Sequence, residues 1–139
     1  MVVFVEAIKS GFRNYFNFKG RSTRAELWWW VLFTVVTGFA LAVVDSIIGT
    51  SGKPEEKGLL EGLFGLFTLL PTLALGTRRL HDINRSGWWM FLLLAIFIGW
   101  FVLLLWLIRK GDQNPNKYGS DPYPNFFVEL DLREVYGPR

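Results

Sequence analysis

Cysteine is absent from this chain, and histidine occurs once. Without thiols there is no disulfide framework, no thiolate nucleophile and no cysteine metal site, and the redox compartment stays open. A single histidine excludes a histidine-rich metal centre. Nucleophile elbow, phosphate-cradling glycine loop and dinucleotide fingerprint are all missing. No enzyme activity and no cofactor are therefore expected. Charge is sparse too, at 19% of residues. No cleavable signal peptide is apparent, because the first 26 residues are too polar for an h-region and the first apolar run is too long for one.

What the sequence has is apolar bulk. Hydrophobic residues make up 51% of 139 positions, with seven Trp and thirteen Phe. A soluble domain of this size could not hide that much apolar surface, whereas a bilayer accepts it and draws aromatic rings to its headgroup level. The net charge of +3 and a pI near 9.4 raise nucleic acid as a partner. The basic residues flank apolar runs instead of forming a separate face, so no nucleic acid is expected.

The pattern predicts an all-α integral membrane helical bundle, one membrane domain over 1–125 followed by a C-terminal tail at 126–139. In 2–18, apolar residues recur at spacings of three and four, the period of an amphipathic helix lying in the membrane interface. Three membrane segments follow, at 27–48, 59–77 and 88–108, and the first reads as a signal anchor that is retained. At 1.5 Å per residue, about 20 residues cross the hydrocarbon. Trp28, Trp29 and Trp30 open the first segment, and Trp88 and Trp89 the third. Asp45 lies near the far end of the first, close enough to the interface to reach water. Pro71 is expected to kink the second, and Gly58, Gly62 and Gly65 let another helix approach closely.

Lys and Arg set the orientation. Lys9, Arg13, Lys19, Arg21 and Arg24 precede the first segment, and Arg78, Arg79 and Arg85 follow the second. Both stretches, and the N-terminus, are expected in the cytoplasm, with the 49–58 loop outside. A simple third crossing then puts the tail outside, although Arg109, Lys110 and Lys117 argue for the cytoplasm. The alternative is that 88–108 dips in and returns around Gly99.

Three stretches stand out in order along the chain: F-K-G-R-S-T-R-A-E-L-W-W at 18–29, R-R-L-H-D-I-N-R-S-G-W-W at 78–89 and N-K-Y-G-S-D-P at 116–122. Together they resemble the bacterial inner-membrane family called domain of unknown function 805, over most of the chain from Tyr15 to Pro122. Leu27 stands where that family usually has an aromatic, Asn114 where it usually has a second Gly, and Ser120 where relatives often have Pro. Asn is the best non-glycine occupant of a left-handed position. The resemblance implies a bacterial inner membrane and a compact helical bundle, and brings no established activity.

Two readings of the polar motifs compete. In the first, Arg21, Arg24 and Glu26 join Asp82 and Asp121 in one charged cytoplasmic cap, where an arginine fork grips a carboxylate bidentately. In the second, surplus Arg21, Arg24, Arg78, Arg79 and Arg85 bind anionic lipid headgroups or a small anion. His81 and Asp82 adjoin, but adjacent helical side chains do not face each other, so no catalytic pair follows. Three spans make a thin transport pathway, which leaves only a homo-oligomeric pore or channel component as a transport reading. The expected protein is structural or interactive, with the bilayer as its partner.

Overall fold

The computed structural model describes residues 4–50 and 58–122; the predicted tail at 126–139 and most of the 49–58 loop fall outside them. Helix α1 spans Phe4–Arg13, α2 Arg24–Ile48 and α3 Leu59–Asp82; a 3-10 helix at Gly87–Leu94 and helix α4 at Ile98–Ile108 follow. No strand occurs among the described residues, only an isolated bridge between Asn116 and Gly119.

Helix α1 carries Glu6 in its first turn and Arg13 in its last, charges that suit the helix dipole. It ends at Arg13, short of the predicted 18, where the chain goes over to turns in which Tyr15 N–H donates to the Phe12 carbonyl (3.2 Å) and Asn17 N–H to the Asn14 carbonyl (3.0 Å). Its buried residues are Ala7 and Gly11. A Cβ on Gly11 would lie 2.4 Å from the Trp30 ring, so this glycine sets how closely α1 sits on α2. Phe12 meets Trp30 edge to face, with ring centroids 5.1 Å apart.

Helix α2 begins with a capping box. Glu26 N–H donates to the Thr23 hydroxyl (3.1 Å), and Thr23 N–H donates back to the Glu26 carboxylate (3.0 Å), which satisfies two otherwise orphaned amides. The helix ends at Gly49, whose φ of 73° is the left-handed C-cap that glycine adopts most readily. Asp45 does not reach water, as the sequence suggested it would: it is fully buried. Its carboxylate accepts from the amides of Leu60 (3.1 Å) and Glu61 (2.9 Å) and from the Thr50 hydroxyl, so it caps the start of α3.

Helix α3 overruns its expected end at Thr77 and carries Arg78 to Asp82 as helix. Nothing in R-R-L-H-D breaks the ladder; the turn comes at Asn84, with φ 57°, a conformation Asn tolerates. Pro71 sits inside this helix and removes the amide that would bond the Phe67 carbonyl. That carbonyl instead accepts the Tyr15 hydroxyl, from the turn after α1.

The segment 88–108 does not form the single third helix expected. The chain turns at 95–97, where Ile98 N–H donates to the Ile96 carbonyl (3.0 Å) around Phe97 at φ 65°, ψ −67°. This is a γ-turn of the rarer positive-φ hand. Gly99 permits the closure, since a Cβ there would lie 2.0 Å from the Leu92 carbonyl oxygen. Both ends of the segment return to the C-terminal turns of α3. A Cβ on Gly87 would touch Thr77, while Arg79 donates to the carbonyls of Leu107 and Arg109. The tail from 109 to 122 consequently lies at the same end as Arg21 and Asp82.

The core is small. One cluster joins Leu27, Trp30 and Leu75, and another joins Leu80, Ile83 and Leu103. Most large apolar side chains point outward, Phe39, Ile47, Leu66 and Phe97 among them. Among the described residues, α2 and α3 are long and apolar enough to cross a membrane.

A buried arginine and carboxylate cluster at one end of the bundle

Asp82, in the last turn of α3, is the centre of the predicted cap. Its side chain is fully enclosed, and two guanidiniums converge on it. Arg21 Nε donates to Oδ1 at 2.9 Å, and Arg79, one helical turn before Asp82, donates through Nη1 to Oδ2. Gly111 makes room for this: a Cβ there would fall 1.9 Å from Oδ2. A buried carboxylate is costly unless it is paired and hydrogen-bonded, and two cationic forks meet both conditions.

The remaining donors of each arginine go to backbone carbonyls of the returning chain. Arg21 Nη1 donates to Asn114 O (2.9 Å) and weakly to Gly119 O (3.4 Å), and its Nη2 to Asp112 O. Arg79 Nε donates to Leu107 O (3.1 Å), and its Nη2 to Arg109 O. The Asp112 amide closes the circuit on the Asp82 carbonyl (2.8 Å). Arginine suits this task because five planar donors can serve a carboxylate and several carbonyls at once.

His81 takes a different route, as expected of a neighbour of Asp82 on a helix. Its Nδ1 lies 3.1 Å from the Gly20 carbonyl, and its ring stacks on Tyr118 at 3.8 Å between centroids. Asn116 donates to the His81 carbonyl (2.9 Å) and accepts the Tyr118 amide through its side chain (2.9 Å). The third motif is thus held against the second.

The other candidates disperse. Glu26 does not join Asp82; beyond its capping box it accepts the Ser10 hydroxyl (2.6 Å) and so ties α1 to α2. Arg24 reaches the Ile108 carbonyl (3.5 Å). Arg85 lies over the Trp106 ring, 4.6 Å from its centroid. Asp121 is near enough to Asp82 for the two charges to repel. Arg78 is buried, but its Nε and Nη2 have no hydrogen-bond partner among the described residues. Asn114 is not at positive φ; it serves through its carbonyl instead. Among the described residues no group of three or more potential ligands that could hold a metal ion occurs.

Several contributors were not legible beforehand. The carbonyls of Leu107, Arg109, Asp112 and Asn114 carry no side-chain signature, and Gly111 stands outside the three motifs. Asn116, Tyr118 and Gly119 did belong to the third motif, without a role attached.

The fold and the cluster define a class: small helical proteins with two helices of membrane-crossing length, closed at one end by arginines gripping a buried carboxylate and a returning chain. The chain belongs to the family described as protein of unknown function (DUF805), whose model matches residues 15–120. It is 42% identical over 110 residues to the inner membrane protein YhaI of Escherichia coli K12, covering 79% of this chain and 89% of that protein. To the inner membrane protein YhaH of the same strain it is 36% identical over 110 residues, covering 79% and 90%. YiiR of that strain is 32% identical over 132 residues, covering 76% and 86%. No solved structure matches the chain.

Proposed function

We propose that this chain is a multi-pass protein of the bacterial inner membrane that acts as a structural or interaction module without catalysis of its own. Helices α2 and α3 cross the bilayer, the 88–108 segment enters and returns, and α1 lies in the interface. The N-terminus and the tail to residue 122 share the cytoplasmic side. One observation carries the reading: Arg21 and Arg79 bind one buried carboxylate and, with their spare donors, five carbonyls beyond α3. A cap of this kind spends its polar groups on holding chain segments together. The relatives named as inner membrane proteins and the positive-inside distribution of Lys and Arg support the placement.

A topology reporter fused after residue 122 tests it. Green fluorescent protein should fluoresce there and alkaline phosphatase should be inactive; strong phosphatase activity would place the tail outside and end the shared cap.

A further inference from the structure

Arg78 differs from its two buried neighbours. The residue is 4% exposed and buried like Arg21 and Arg79, yet its Nε and Nη2 reach no acceptor among the described residues. Buried polar side-chain atoms are nearly always partnered, so an enclosed guanidinium with idle donors requires an explanation. Nε and Nη2 form the side-on edge of the guanidinium, two parallel N–H groups spaced to meet two oxygens of one oxyanion. Glu26 is close enough for its charge to act on Arg78, but its oxygens are engaged by the Ser10 hydroxyl and the Thr23 amide. The backbone of Arg78 is pinned to the start of α2, where the Ser22 amide donates to its carbonyl (3.1 Å). The positive end of a 25-residue helix therefore adds to the field at this point.

The geometry points to Arg78 as a binding group for a phosphate-bearing anion, taken by the side-on edge of its guanidinium beside the first turn of α2. Phosphate is the class that fits the place. The edge matches two phosphate oxygens, and under the proposed topology this end of the bundle meets the leaflet surface where lipid phosphates are concentrated. Arg21 and Arg79 are committed to Asp82 and the carbonyls, so they position the cap and leave recognition to Arg78. The inference rests on the proposed cap for the position of Arg78 and adds a ligand to it.

The full chain, purified in a neutral detergent, is incubated with dioctanoyl phosphatidylglycerol, with dioctanoylglycerol, which lacks phosphate, and with inorganic phosphate. Retention is read by native mass spectrometry and melting temperature. A charge-assisted bidentate contact should favour the phospholipid over dioctanoylglycerol at least about tenfold. Arg78→Gln should bring that ratio to about one, Arg78→Lys should keep part of it, and Arg85→Gln should leave it unchanged. Glu26→Gln should raise phosphate retention by removing a competing charge. Displacement of the phospholipid by millimolar inorganic phosphate would assign the site to a free anion; resistance would assign it to a lipid headgroup. A wild-type protein without the preference, or Arg78→Gln that folds and keeps it, overturns the inference. If Arg78→Gln does not fold, the wild-type ratio and the sign of the Glu26→Gln change decide. Failure of the proposed cap would register separately, as an Asp82→Asn variant that melts with the wild type or as strong phosphatase activity of a fusion after residue 122.

Discussion

The two ends of the bundle each bury one aspartate, and they solve the problem in opposite ways. At the α2–α3 end, Asp45 is satisfied by neutral donors, two amides at the start of α3 and a threonine hydroxyl. At the other end, Asp82 is held by two guanidiniums, Arg79 from its own helix and Arg21 from far along the sequence. A glycine abuts each: a Cβ on Gly58 would lie 2.2 Å from the Asp45 carboxylate, much as one on Gly111 would meet Asp82. Neutral donors make a local helix cap, which joins neighbours in sequence. Opposed charges with spare donors can recruit a returning chain. Asp45 therefore fastens a hairpin, and Asp82 fastens the fold.

This contrast makes predictions of graded size. Asp82→Asn leaves two enclosed guanidiniums without their counter-charge, and should cost about 3–5 kcal/mol or prevent folding, measured by thermal unfolding in detergent. A variant that melts with the wild type would show the cluster to be incidental. Gly111→Ala forces a methyl group into the Asp82 carboxylate and should cost about 1–3 kcal/mol by the same measurement. Asp45→Asn should cost about 1–2 kcal/mol, less than Asp82→Asn, because no charge loses its partner and only one backbone amide is left facing the new NH2 instead of an acceptor oxygen. A loss as large as that of Asp82→Asn would erase the distinction between the two ends. Tyr15→Phe deprives the Phe67 carbonyl of its donor opposite Pro71, with a loss of about 1 kcal/mol.

The helices were legible because their signals are local. The period of α1 and the apolar length of α2 and the first part of α3 can be read within one stretch of sequence, whereas the capping box of Thr23 and Glu26 was found only in the structure. Even there the ends shifted: α3 runs on to Asp82, since Arg, Leu and His tolerate a helix and no breaker precedes Asn84. The 88–108 segment was the harder case. Its composition suits a crossing helix throughout, and only Gly99 and the basic residues Arg109, Lys110 and Lys117 hinted at the turn, which rests on a γ-turn at Phe97 and a backbone approach that no composition reveals. The cap was half legible. The pairing of Arg21 with Asp82 followed from opposite charges in the first and second motifs, whereas the roles of Arg79 and the tail depended on carbonyls. The expected joining of Glu26 and Arg24 to Asp82 failed because each had a nearer partner.

Apolar bulk, helical period and the scarcity of chemically reactive side chains were determined by the sequence alone, because each depends only on residue type and spacing along one segment. The sequence could likewise place basic residues at segment ends. Tertiary structure decided which arginine meets which acid, on which end of the bundle the tail lies, and that Arg78 is left with idle donors. Those outcomes depend on where the chain turns back, and a turn is set by a few backbone angles and the absence of a Cβ at contact points such as Gly99 and Gly111. A few backbone angles, at Ala95 (ψ 84°) and Phe97 (φ 65°), separate a third helix from a hairpin whose returning end the arginines can hold.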